Sequence, residues 1–124
     1  MAKNELRSFV ELDSFRKDWK KAGLNEEDLL DLEITLTANP QAGAVIPGTN
    51  GLRKIRVSLP GKGKRGGARV IYVNFEEYLY TYFLFFYPKN KDPDLSAEDR
   101  KLFSKLVDQL EASVCKNFFA KKGE

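Results

Sequence analysis

The chain has 124 residues, of which 42% are hydrophobic and 31% are charged, and this composition indicates one globular domain spanning residues 1–124. One cysteine and no histidine exclude an internal disulfide, the common zinc frameworks and every catalytic triad that needs histidine. We therefore predict no metal and no cofactor, so that any catalysis must use Lys, Arg, Tyr, Asp or Glu. No apolar segment is long enough for a signal peptide or a membrane span, and we expect a cytoplasmic protein without a membrane partner.

The first elements are predicted to be a short strand and a helix. Residues 8–12 (SFVEL) favour the strand. Asp13 or Ser14 then offers an N-cap for a helix that ends at Gly23. Trp19 lies on the apolar stripe of this helix, which favours a place in the core over stacking on a base.

A second helix is predicted to follow and to form an antiparallel hairpin with the first. Asn25 is its expected N-cap, and the helix should stop before Asn39 because Pro40 comes next. One apolar face of this helix is expected to be buried, formed by Leu29, Leu30, Leu32, Ile34 and Leu36. Residues 39–50 are rich in Pro, Gly and Asn, which predicts a loop.

Residues 51–75 combine a basic strand, a glycine-rich loop and a second basic strand. Seven basic residues and no acidic one lie between Arg53 and Arg69, although the whole chain has 21 basic and 18 acidic residues. The rest of the chain is therefore net acidic, and the positive charge is focused here. A polyanionic partner such as nucleic acid explains this cluster best, and a solvated basic hairpin is the alternative. The residues expected to contact the phosphates of such a partner are Arg53, Lys62, Lys64 and Arg65.

The alternation within residues 53–59 predicts which side chains share a face. Three apolar residues alternate with Lys54, Arg56 and Ser58, so the two basic side chains should point away from the core. Their Cα atoms would lie about 6.6 Å apart at roughly 3.3 Å per residue, a spacing that suits one phosphodiester or two neighbouring ones. Residues 60–67 contain four glycines and predict a mobile cationic loop, but they do not match a nucleotide-binding P-loop.

The last third predicts a buried strand and a helix. Residues 78–87 (YLYTYFLFFY) are apolar on both parities, which is typical of a central strand covered on both faces. Tyr87 and Lys89 lie at its end, where functional groups are common, and Pro88 marks the exit from the sheet. Ser96 and Asp99 predict the start of a helix that packs on the sheet. Residues 116–124 are expected to be a frayed tail.

This order of elements resembles the RelE superfamily of bacterial toxins, and its HigB branch most closely. Three motifs carry the resemblance within residues 9–110: GTNGLRKIRV at 48–57, GKGKRGGARVIY at 61–72 and YPKN at 87–90. The resemblance implies an α+β fold with a helical hairpin, then a mainly antiparallel four-stranded sheet, then a C-terminal helix. In this family fold the helices lie against one face of the sheet, and RNA binds in the open concavity of the other.

The resemblance also implies a function. Members are small cytoplasmic toxins of type II toxin–antitoxin pairs that cut messenger RNA in the ribosomal A site. The implied partners are the ribosome, the mRNA and an antitoxin, which in the HigB branch is often a helix-turn-helix protein. Two departures stand out: Asn90 replaces an arginine found in many relatives, and Leu95 occupies the place where some have a catalytic tyrosine. The implied catalytic residues are Lys54, Arg56, Arg69 and Lys89, and Tyr87 is our candidate to take over the role of the missing phenol.

These residues are suited to metal-independent RNA cleavage by attack of the 2′-hydroxyl on the neighbouring phosphorus. The cations Lys54, Arg56 and Arg69 could surround the phosphate, and Lys54 is a candidate base because neighbouring positive charges favour its neutral amine. Tyr87 or Lys89 would then protonate the leaving oxygen. Two alternatives remain: an RNA- or ribosome-binding protein without chemistry, and a toxin of this fold that acts on DNA gyrase, as the ParE relatives do.

Overall fold

The computed structural model describes residues 7–59 and 63–122, without the side chains of residues 63–66 and 121–122. Its centre is a five-stranded sheet with the strand order β1-β5-β4-β3-β2, in which β1 pairs parallel to β5 and the other pairs are antiparallel. The strands are β1 Ser8–Glu11, β2 Ala44–Val45, β3 Arg53–Leu59, β4 Gly63–Phe75 and β5 Tyr80–Pro88. The helices are α1 Asp13–Lys21, α2 Glu26–Ala38 and α3 Ala97–Lys122, and Lys89–Lys91 form one 3-10 turn.

The α+β class, the mainly antiparallel sheet and the C-terminal helix are confirmed, but the sheet has five strands instead of four. The additional strand is β2, two residues within the segment 39–50 that the sequence predicts as a loop. It pairs with Arg53 and Lys54 at the start of β3. Two residues are too few to produce the alternating pattern from which a strand is predicted.

Helices α1 and α2 pack on one face of the sheet. Phe15 and Trp19 of α1 and Leu32 and Leu36 of α2 are buried in one cluster with Val70 of β4. Of the other three apolar positions of the predicted α2 face, Leu29 packs against this cluster, whereas Leu30 and Ile34 are 52% and 58% exposed. That part of the prediction is wrong, because one side of a helix can bury only a stripe.

Helix α3 packs on the opposite face, where Val107 and Val114 contact a second cluster that includes Val73 and Leu84. The sheet therefore carries helices on both faces, which differs from the one-sided arrangement implied by the resemblance. The prediction that the strand before Pro88 is covered on both faces is confirmed. A register shift in the pairing of β4 with β5 lies between Ile71 and Tyr72.

Most helix ends follow the sequence prediction. Asn25 and Asp28 form a complete capping box at the start of α2, and Gly23, with φ of 85°, follows α1 as predicted. Helix α1, however, begins after Leu12 without a side-chain cap, so the predicted cap at Asp13 or Ser14 is wrong. The Ser14 hydroxyl instead donates to the carbonyl of Leu84.

Two segments that the sequence predicts to be irregular, the C-terminal tail and the glycine-rich loop, are partly regular in the structure. Helix α3 starts with the predicted Ser96–Asp99 capping pair, but it continues to Lys122, well into the tail predicted to be frayed. Its last turns are held by apolar contact, since the ring of Phe118 lies 5.1 Å from that of Tyr78. Strand β4 begins at Gly63, inside the predicted glycine-rich loop, and this residue pairs with Leu59.

Candidate functional site: a cationic sheet surface beside an apolar cavity

Three predicted site residues lie side by side across three strands. Arg56 of β3 is the register partner of Arg69 of β4, which is in turn the partner of Tyr87 of β5. We call these three residues the arginine row. Like charges directly opposite each other on neighbouring strands destabilise a sheet, so the pairing of two arginines indicates a surface adapted to an anion.

The next row along the strands starts with Lys54, whose partner is Ile71, and continues to Phe85. Lys54 follows the parity of Arg56, as the sequence predicts, and both lie on the α3 side of the sheet. Moving from the arginine row to this second row covers about 6.6 Å, two residues at roughly 3.3 Å each. A charged row and a largely apolar row are therefore direct neighbours.

Lys89 joins the arginine row from beyond the end of β5. It begins the 3-10 turn Lys89–Lys91 and lines a cavity of about 250 Å³ together with Arg56 and Arg69. The structure thus brings all five predicted catalytic residues to one end of the sheet. Residues 60–62, between β3 and β4, lie outside the described part of the chain.

Asp92 is the residue of this site that the sequence prediction missed. Its Oδ1 accepts a hydrogen bond of 2.7 Å from the Tyr87 hydroxyl, and the same oxygen lies 3.3 Å from the Lys54 Nζ. Sequence patterns assign no function to Asp92. A signal was present, because an Asp five residues after a strand-end Tyr can fold back onto it across the Pro88 turn.

The Tyr87–Asp92 contact changes the protonation of both groups. Burial raises the pKa of the Tyr87 phenol well above its usual value, and the hydrogen bond to Asp92 raises it further. The same hydrogen bond lowers the pKa of the Asp92 carboxyl, and Lys54 adds to this effect. At neutral pH the site therefore holds a protonated phenol and an ionised carboxylate.

The four residues predicted to contact RNA differ in their placement. Arg53 lies on the opposite parity from Lys54, and its guanidinium donates to the carbonyls of Gly43 at 2.7 Å and Gln41 at 3.3 Å. These bonds hold the segment before β2 against the sheet, so Arg53 does not join the arginine row. Lys62 lies outside the described residues. Lys64 and Arg65 belong to the backbone of β4, and their side chains are not described.

Tyr72, the register partner of Arg53, also holds this segment. Its hydroxyl accepts from the amide of Gly43 and donates to the carbonyl of Pro40, both at 2.9 Å. Gly43 has no room for a side chain, because a Cβ there would lie 2.8 Å from the carbonyl oxygen of Lys54. The backbone around Lys54 is therefore held closely in position.

A larger cavity of about 590 Å³ opens beside the arginine row, between the sheet, the residues after β5 and the first turns of α3. We call it the apolar cavity. Its polar residues include Lys54, Tyr87, Asp92 and Arg100. The apolar residues that line it are Ile46, Leu52, Ile71, Phe85, Phe86, Pro93, Leu95 and Phe103.

The described residues contain no group of three or more Cys, Asp and Glu side chains that could hold a metal ion. Within the same part of the chain, no helix combines the length and apolar character needed to cross a membrane. The arginine row and its neighbours Lys54, Lys89 and Asp92 offer the chemistry of arginine, lysine, a phenol and a carboxylate. A sheet surface of this kind is suited to bind a phosphate group.

Comparison with known proteins assigns this small α+β protein to a family. A family model described as the RelE toxin of the RelE/RelB toxin–antitoxin system matches residues 9–121. Since this match covers most of the chain, the protein belongs to the RelE family of toxins. The predicted relation to the RelE superfamily is thereby confirmed.

Solved structures of E. coli proteins are similar to this chain as well. The isolated E. coli RelE toxin is 16% identical, with a TM-score of 0.50 over 84% of this chain and 98% of that chain. The E. coli RelBE toxin–antitoxin complex matches with 17% identity and a TM-score of 0.49, over 65% of this chain and 94% of that chain. A free-state E. coli RelE mutant gives 16% identity and a TM-score of 0.47, over 65% and 81%.

Proposed function

We propose that this protein is the toxin of a type II toxin–antitoxin pair, of the HigB-like branch, and that it cuts messenger RNA in the ribosomal A site. The observation that carries the proposal is the arginine row. Arg56 and Arg69 face each other on neighbouring strands, and this arrangement is unfavourable until an anion lies between them. A phosphodiester is the anion that a RelE-family toxin acting on RNA would bind there.

In the proposed reaction, the 2′-hydroxyl of one nucleotide attacks the neighbouring phosphorus and the bond from phosphorus to the 5′ oxygen breaks. The products are a 2′,3′-cyclic phosphate and a free 5′-hydroxyl. Arg56 and Arg69 stabilise the charge that grows on the phosphate oxygens, and Lys89 supports them from the end of β5. No metal is required for these steps.

Proton transfer falls to Lys54, Tyr87 and Asp92. Tyr87 is suited to be the donor to the 5′ oxygen because its raised pKa keeps the phenol protonated. The acceptor of the 2′-hydroxyl proton is either Lys54 or the Asp92 carboxylate, which lies 3.3 Å from the Lys54 amine. Both Lys54 and Tyr87 must leave Asp92 to reach the RNA.

The proposed partners are the ribosome, its mRNA and an antitoxin of the helix-turn-helix type, and the proposed compartment is the cytoplasm. The family description, which names a toxin–antitoxin system, supports an antitoxin partner. The ribosome is proposed as a partner because of the chemistry. An RNA free in solution is not held in line for attack, and positioning can lower the activation free energy by several kcal/mol. A ribosome can hold the codon in that geometry.

Single-turnover cleavage of mRNA on a ribosome with a programmed A site tests the proposal. The wild-type protein should produce one cut within the A-site codon, with a cyclic phosphate on the 5′ fragment. Binding without cleavage would refute the nuclease function and leave an RNA-binding protein. Inhibition of DNA supercoiling by gyrase, with intact mRNA, would instead identify a ParE-like toxin.

A further inference from the structure

We propose that the apolar cavity is a nucleobase site, which receives the base of a nucleotide whose phosphate is held by the arginine row. This inference rests on the proposed function, because it extends RNA binding from the phosphate to the base. The cavity measures about 590 Å³, within the range of small-molecule sites in proteins. Most of its lining belongs to the face of the sheet that carries the arginine row, and Asp18 of α1 and Phe86 add to it from the other face.

The walls of the cavity suit a flat aromatic ligand. Phe85 of β5 and Phe103 of α3 contribute rings whose centroids lie 5.5 Å apart, tilted by 54°. Phe103 is half-buried, so it is not fully enclosed by the fold. Stacking on such rings is a common way for proteins to hold bases of any sequence.

The position of the cavity connects base and phosphate. Lys54 and Tyr87 line the cavity, while Arg56 and Arg69 line the smaller cavity next to it. Since Tyr87 is the register partner of Arg69, the two cavities meet at the arginine row. A ligand that fills both must therefore carry an anionic group beside an apolar, planar group.

The polar groups at the rim also suit a base. Arg100 donates to the carbonyl of Pro47 at 2.7 Å, which holds its guanidinium beside the cavity. Lys91, Asp92, Asp94 and Asp99 also line the cavity. A purely aliphatic ligand would leave these donors and acceptors without use, whereas the edge of a base carries both kinds of group.

The test compares adenosine 5′-monophosphate with ribose 5-phosphate, which has the same phosphate and sugar but no base. Binding is measured by NMR titration at low salt. We expect the nucleotide to bind at least ~10-fold more tightly, since stacking of one base on an aromatic side chain is typically worth this much or more. Phe103→Ala should bring the nucleotide to the affinity of ribose 5-phosphate and leave ribose 5-phosphate unchanged.

Leu102→Ala is the matched control, because Leu102 neighbours Phe103 on α3 but is 62% exposed. It should change neither affinity. Should Phe103→Ala fail to fold, Leu95→Trp fills the cavity from the loop before α3 and is expected to weaken only the nucleotide. Arg56→Ala should weaken both ligands by the same factor, because each of them has one phosphate.

Several results would overturn the base site. Equal affinities of the two ligands for the wild type would do so, and they are the result expected if the cavity holds an apolar side chain of a protein partner. The same conclusion follows if neither ligand binds, or if Phe103→Ala and Leu95→Trp leave the preference for the nucleotide intact. A preference that needs Phe103 but is insensitive to Arg56→Ala would keep the base site and refute the phosphate contacts of the proposed function.

Discussion

Arg56 offers the sharpest separation of catalysis from stability. Its side chain is exposed, and among the described residues no hydrogen bond or ion pair involves it. Replacing it by Ala removes little packing and relieves the repulsion from Arg69 across the strand pair. Surface changes of this kind usually stay within about 0.5 kcal/mol, which for a domain of this size moves the thermal midpoint by no more than about 3 °C.

Activity should respond very differently to the same change. A group that stabilises charge developing on the phosphate is typically worth a factor of about 100, or about 2.7 kcal/mol of barrier. We therefore expect Arg56→Ala to slow single-turnover cleavage on the ribosome by about 100-fold, with a much smaller change in binding. Cleavage at the wild-type rate by a folded Arg56→Ala protein would refute the arginine row as the site of chemistry.

Arg53→Ala is the control, since Arg53 is three residues away but lies on the opposite parity. It gives up hydrogen bonds to the carbonyls of Gly43 and Gln41. Hydrogen bonds from charged groups contribute about 1.5 kcal/mol or more, so this variant should lower the thermal midpoint by several degrees. Below that temperature it should still cleave at the wild-type rate, which is the reverse of the pattern expected for Arg56→Ala.

Further predictions concern the phenol, the carboxylate and salt. Tyr87→Phe keeps the ring but removes the proton donor, and we expect single-turnover cleavage to fall by at least ~10-fold, whereas an unchanged rate would exclude the donor role. The raised pKa of Tyr87 means that the folded protein favours the protonated phenol, so the stability it contributes is present below pH 10 and is lost as the pH rises beyond that value. Alkaline unfolding curves should therefore be flatter for Tyr87→Phe than for the wild type. Asp92→Asn removes a negative charge beside the bound phosphate and should strengthen RNA binding, and a simultaneous loss of cleavage would identify Asp92 as the proton acceptor. With about four phosphate contacts, the logarithm of the RNA affinity should fall against that of salt with a slope near −2.8, and a slope near zero in filter binding would exclude the electrostatic footprint.

The parts of the fold and site that could be predicted from the sequence are those encoded by local patterns. The alternation of apolar and polar residues in β3 correctly predicted that Lys54 and Arg56 lie on one face of the sheet. The apolar residues at both odd and even positions before Pro88 correctly predicted a strand that is covered on both faces. The Asn25 cap is likewise a matter of residues three apart. In each case the information lies within a few neighbouring positions.

What the sequence did not reveal depends on tertiary placement. In the sequence, Arg53 looks like one more cation of a basic segment. In the structure its guanidinium instead donates to the carbonyl of Gly43, ten residues earlier. No local pattern indicates a role for Asp92, because its partner Lys54 is 38 positions away. The apolar cavity exists only because α3 packs on the face opposite α1, and no local pattern specifies that choice of face.

The contacts of Asp92 give a physical reason why the isolated protein should be a poor nuclease. Without RNA, the carboxylate occupies both Lys54 and Tyr87, at 3.3 Å and 2.7 Å, and it stands beside the place where a phosphate would bind. RNA must therefore displace these contacts and accept a neighbouring negative charge before the cations can act on it. A free RNA brings only its own phosphate charge to this exchange, whereas a codon held by the ribosome also arrives in a fixed geometry. The proposed dependence on the ribosome should accordingly be weaker in Asp92→Asn, in which the competing charge is gone, than in variants of Arg56 or Arg69.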